Sequence, residues 1–218
     1  MKARAAAHSP PFSRAIPSSL TVRLVQCVVG LIVCGVGIAL IIAGDIGLAP
    51  WDVLHKGISR RTGIAVGTVI IIVGFAVLAL WVPLQVRPGI GTILNAVLIG
   101  VTVNVALPRL PEPTGIAWRV VEMLGGVVAF GVGTAMYIGA GLGPGPRDGL
   151  MTGIAGRGYS LRLVRTAIEI AVLVTGWALG GSVGIGTAVF AVAIGPLVHY
   201  FGAIFGIRTS RLDFVTVD

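Results

Sequence analysis

Two aspartates stand 96 residues apart in matching settings. Asp52 lies in GLAPWDVLHKG (47–57) and Asp148 in GLGPGPRDGLMTG (141–153). In both, a glycine (Gly47, Gly143) loosens the chain and a proline (Pro50, Pro146) comes two residues before the aspartate. Proline suits the first position of a helix, where a missing N–H costs nothing. A carboxylate in the first turn favours the positive end of the helix dipole. The pattern predicts a sharp break followed by a short helix, about 50–60 and 146–157. The free N–H groups of such a helix can bind an anion, and its carboxylate can hold a cation or a proton. The aspartate is kept in both copies while its neighbours differ: Trp51 stands against Arg147 and Lys56 against Thr152. Trp51 and Arg147 therefore join the candidate binding residues. The plain alternative is a helix-start device in a tight turn at the membrane surface. Gly141, Gly145, Gly149 and Gly153 recur every fourth residue, a spacing that lets another helix approach closely.

A second constellation is Arg165 and Glu169, four residues apart in an apolar run. A carboxylate at membrane depth is costly unless paired or wetted. The spacing predicts an Arg165–Glu169 pair, and a coupling carboxylate is the functional alternative. Glu122 matches Gln26 in the other copy, and both are expected at the membrane interface. Asn95, Asn104 and His199 are expected to make hydrogen bonds between helices, while Thr92 and Thr187 are expected to bond local backbone. His8, His55 and His199 lie too far apart in the expected topology for a metal site. No HExxH, GxSxG or phosphate-loop pattern occurs. We therefore expect no catalytic residues, no cofactor and no metal: the protein reads as not an enzyme.

The elements that position these residues are set by the chain's apolarity. Hydrophobic residues make up 56% of the 218 and charged residues 11%, against about 25% charged in soluble domains. Mean hydropathy is +0.99. Lipid is the solvent that such a composition requires. Six runs are long enough to span it: about 22–43, 64–82, 89–107, 116–139, 161–180 and 184–206. Backbone pairing in lipid requires them to be helical. The net charge of +8 gathers in the gaps between runs, as it does in cytoplasmic loops, and speaks against nucleic acid. Its distribution predicts both termini in the cytoplasm. Cys27 and Cys34 lie too far apart on one helix to be bridged.

The chain also repeats itself. Shifted by 96, residues 23–54 match 119–150 at 12 of 32 positions. Trp81 falls on Trp177, and residues 89–100 match 184–195 at eight of twelve positions. A unit of three spans, repeated, must enter the membrane from opposite sides. The expected fold is thus an all-α membrane protein of six transmembrane helices, built as two inverted three-helix repeats. Short broken or re-entrant helices follow helices 1 and 4. The expected divisions are a disordered basic tail (1–22), repeat one (23–118), repeat two (119–207) and a C-terminal tail (208–218).

The doubled GLAPWDVL and GLGPGPRDGL motifs, the GIGT entries and six spans in this length resemble the YczE/YitT group of bacterial integral membrane proteins. The likeness runs from Arg23 to Ile207. It implies a multi-pass inner-membrane protein and carries no assigned substrate. The function expected is a small secondary transporter or permease for a small organic or anionic solute. The alternatives are a substrate-binding membrane subunit of a larger transporter and a non-transporting scaffold or assembly factor. Expected partners are the lipid bilayer, a small-molecule solute and a second copy of the chain in a homodimer.

Overall fold

A computed structural model describes residues 19–111 and 113–205. All of the expected C-terminal tail, and the N-terminal tail up to residue 18, lie outside the described residues. Ser19 is the cap of the first helix, so residues 20–22 are helical rather than tail.

The described residues are all-helical. The order is α1 (Leu20–Gly44), α2 (Pro50–Thr62), α3 (Val66–Ala79), α4 (Trp81–Leu84), α5 (Ile90–Ala106), α6 (Ile116–Gly139), α7 (Pro146–Ala155), α8 (Leu161–Ala178) and α9 (Ile185–Ile204). Five segments are long and apolar enough to cross a bilayer: α1, Val66–Leu84, Ile90–Arg109, α6 and α9. The sixth expected span, α8, is 18 residues long and carries Arg162, Arg165 and Glu169. Those three charges set it apart from the other five.

The centre of the fold is the crossing of α1 and α6, its most extensive helix pair. Glycines make the close approach possible. A Cβ on Gly30 would strike the backbone of Gly133, and one on Gly37 the backbone of Gly126. Positions 30 and 37 correspond to 126 and 133 under the shift of 96, so the two contacts exchange partners. The ends of the two helices behave likewise. Arg23 donates to the carbonyls of Ala140 and Gly141 at 2.8 and 2.7 Å. Arg119, its counterpart, donates to Gly44 at 3.4 Å. Each guanidinium thus sits at the negative end of the other helix, where a cation is favoured.

The loops after α1 and α6 are also clasped crosswise. Gly186 N–H donates to Ile46 O at 3.0 Å, and Gly91 N–H donates to Leu142 O at 2.9 Å. Gly47 and Gly143 have φ of 126° and 123°, a region open to glycine and strained for other residues. Both also touch the helix start that they clasp, so a side chain would be excluded twice over. Thr92 and Thr187 accept the N–H of Gly89 and Gly184 at 3.2 and 3.3 Å, the local backbone role expected of them.

Equivalent helices do not pack alike elsewhere. α3 lies closely along α5, where a Cβ on Gly100 would clash with the Gly67 carbonyl. Asn104 donates to Thr68 at 2.9 Å across that seam. The corresponding pair, α8 and α9, barely touches, and Gly195 has nothing within 4 Å of where a Cβ would stand. His199, the counterpart of Asn104, is exposed instead of bonded between helices, because α8 is not there to receive it. α8 packs on α2, where Gly57 and Gly176 approach each other. The two equivalent tryptophans show the same contrast: Trp81 is 1% exposed and Trp177 is 66% exposed.

Candidate functional site

The start of α2 and the start of α7 face one cavity of about 120 Å³. Pro50 and Trp51 enter it from the first motif, Arg147 and Asp148 from the second. Residues of both motifs therefore line an interior cavity of the fold. α8 adds Arg165 and Glu169, and α6 adds Phe130, Thr134 and Tyr137. Both members of four equivalent pairs line the cavity: Trp51 and Arg147, Cys34 and Phe130, Asn95 and Phe190, Ile99 and Ile194.

The Arg147 guanidinium lies 5.5 Å from the centroid of the Trp51 ring, a cation–π distance. Among the described residues it takes part in no ion pair. Trp51 is 6% exposed, and its indole N–H has no hydrogen-bond partner there. Asp148 accepts the Tyr137 hydroxyl at 3.1 Å. Arg165 Nε and Glu169 are 3.4 Å apart, the pairing that their spacing predicts. Glu169 is also one of the cavity's lining residues.

Asp52 lies elsewhere. It is 1% exposed and sits 3.1 Å from His55 Nδ1, one turn along α2. His55 and Trp51 border a smaller cavity of about 20 Å³, which Arg147 also lines. The two aspartates are thus equivalent in sequence and unequal in setting. Outside this region, Lys56 donates to Asp45 at 2.7 Å. Burial pushes the Asp45 carboxyl up, but bonds from Lys56 and Ser182, with the charges of Lys56 and Arg60, outweigh it. Its pKa is held below the usual aspartate value.

Other expectations need correction. Glu122, expected at the membrane interface, is enclosed by protein: it is 4% exposed, and its Oε2 has no partner among the described residues. Its counterpart Gln26 donates to Met136 O at 2.9 Å. The α1–α6 crossing buries Glu122 and half-buries Gln26, a consequence of the glycine contacts that draw those helices together. Cys27 and Cys34 are free and buried, and Cys34 packs against Phe130 and Thr134. Tyr137 went unnoticed in the sequence, although it stands at a position where the first repeat has Ile41. Asn95 lines both cavities rather than acting as interhelical glue alone. Gly149 and Gly153 do serve packing: Gly149 lies under the Trp81 ring, whose N–H donates to Pro146 O at 3.0 Å.

The description "Family of unknown function (DUF6198)" belongs to a sequence family whose profile matches residues 21–203. The chain belongs to this family. The DUF6198 match takes in every helix from α1 to α9 and both motifs. A Haemophilus influenzae protein is 40% identical over 172 residues, 78% of this chain and 79% of its own. The Bacillus subtilis protein named "Uncharacterized membrane protein YczE" is 38% identical over 178 residues, 78% of this chain and 81% of its own. Bacillus subtilis YyaS is 26% identical over 185 residues. No solved structure matches. The resemblance read from the doubled motif therefore stands, and with five apolar spanning helices this DUF6198 chain is a membrane protein.

Proposed function

We infer that the chain is a small secondary transporter of the bacterial inner membrane. It is built as two inverted three-helix repeats, with α8 as the sixth span and both termini in the cytoplasm. Its solute occupies the cavity between the α2 and α7 starts. One observation carries this reading: equivalent helices pack differently beside the cavity. α3 and α5 are closed on each other, while α8 and α9 have parted. A protein that opens alternately to two sides needs two halves able to adopt either packing, with one of each at any moment. In the second state α8 closes on α9 and α3 leaves α5. Trp81 then gives up the Pro146 carbonyl. The exchanged contacts of α1 with α6 support a fixed central pair about which the outer helices rock.

The charges of α8 fit this role. A helix carrying Arg162, Arg165 and Glu169 is costly against lipid and acceptable beside a wet cavity. The test is a cysteine pair, Leu163→Cys with Gly195→Cys, in a background lacking Cys27 and Cys34. These positions correspond to Gly67 and Gly100, which touch. Cross-linking in membranes is the expected result. Its absence under every condition, in a protein that folds, overturns the alternating reading and leaves a static scaffold. A substrate-binding subunit of a larger transporter would instead co-purify with its ATPase.

A further inference from the structure

The cavity carries more charge than its internal pairs consume. Arg165 and Glu169 answer each other at 3.4 Å. That leaves one guanidinium, Arg147, and one carboxylate, Asp148, each outside the ion pairs of the described residues. The polar partner of Asp148 among the described residues is the Tyr137 hydroxyl. A third group points the same way. Trp51 lines the cavity and is more than nine-tenths buried, and its indole N–H has no acceptor among the described residues. An indole N–H can only donate, so the group that it lacks must be an acceptor. It stands beside the Arg147 guanidinium, whose donors suit a carboxylate. The starts of α2 and α7 add N–H groups and the positive ends of two helix dipoles.

We propose that this cavity binds a small zwitterion, with a carboxylate held by Arg147 and the Trp51 N–H and an ammonium held by Asp148. The proposal rests on the transporter reading for the crossing itself. A simple anion would satisfy Arg147 and bring a second negative charge to Asp148. A simple cation would satisfy Asp148 and crowd Arg147. Such like-charge contacts are costly where little water screens them. A ligand bearing both charges answers both residues. Ile99, Phe130 and Ile194 are among the apolar side chains of the remaining wall, beside Asn95 and Thr134, so its body is largely apolar. The volume of about 120 Å³ is well below the roughly 300–1,000 Å³ of drug-sized pockets, which restricts the ligand to compact solutes. The class is that of the small aliphatic α-amino acids.

The experiment is thermal unfolding of the full-length, detergent-purified protein with L-alanine, L-valine and L-leucine. Each is run beside its deaminated acid and its decarboxylated amine at equal concentration. At least one zwitterion should raise Tm in a concentration-dependent way, with acid and amine giving clearly smaller shifts. Arg147→Ala and Asp148→Asn should each lose the shift. If a variant does not fold, the wild-type comparison of zwitterion, acid and amine decides alone. An acid as effective as its zwitterion makes this an anion site and overturns the proposal. An equally effective amine makes it a cation site, with the same consequence. No shift from any of the three amino acids also overturns it. Cross-linking of the 163/195 cysteine pair is scored in parallel. No shift with cross-linking retained removes the ligand class and leaves the transporter. A shift with no cross-link does the reverse.

Discussion

The guanidinium of Arg147 lies 5.5 Å from the centroid of the Trp51 ring, and the two residues are counterparts under the repeat. Equivalent positions that touch lie where the two halves meet. The pair therefore marks the seam, and a cation–π contact of this kind contributes about 0.5–2 kcal/mol, depending on how far it is desolvated. A double-mutant cycle with Trp51→Leu and Arg147→Met, read by unfolding in detergent, should return a coupling in that range. Additive effects would mean that the ring and the guanidinium do not interact.

The two aspartates should respond differently to Asn. Asp148→Asn should leave Tm nearly unchanged and abolish the ligand response, because Asp148 faces the cavity. Asp52→Asn should instead weaken the fold by about 1–3 kcal/mol, the usual cost of disturbing a buried polar pair, since Asp52 is enclosed with His55. Equal effects on ligand response would show that Asp52 reaches the cavity in another state.

Two equivalent glycines should also diverge. Gly100→Ala forces a methyl group into the Gly67 carbonyl and should cost about 1–3 kcal/mol, typical of overpacking. Gly195→Ala enters open space and should stay within about 0.5 kcal/mol of wild type. The measurement is the difference in Tm between the two variants.

Much of this architecture is legible in the sequence because Gly and Pro punctuate it. The α6 span, expected at 116–139, is found at Ile116–Gly139, and both short helices begin at their prolines. The cavity is less legible. Which aspartate faces it depends on the rotation of α2 and α7 and on where α8 lies. No local period encodes either. Trp81 and Trp177 are the same residue in the same repeat position, one docked and one bare. The residue type is the same at both positions, so it does not express the difference between them.

Topology is open to a direct check. Reporter fusions at Thr114 and after Asp218 should fall on opposite sides of the membrane, the latter cytoplasmic, as the Lys/Arg bias requires. Signals from one side would remove α8 from the set of spans.

Asp45 gives a pH signature outside the spans. Its carboxyl is held below the ordinary aspartate value, so the folded state binds that proton less readily than the unfolded chain. The stabilisation is present above the unfolded pKa, about 3.9, and is lost as pH falls through the lower folded value. Because the side chain is about a third exposed, water screens the pair and the effect is modest, about 0.2–1 kcal/mol. Asp45→Asn should lower Tm slightly at neutral pH and flatten its acid limb. An unchanged acid limb would remove Asp45 as its source.

The crosswise clasp, with Gly186 holding Ile46 and Gly91 holding Leu142, has a consequence for each half on its own. Each loop finds its receptor only in the other half. A chain of half this length would leave its own loop without one, unless a second copy lay beside it to supply the receptor. Cutting the gene between repeats should give two fragments that accumulate only when made together.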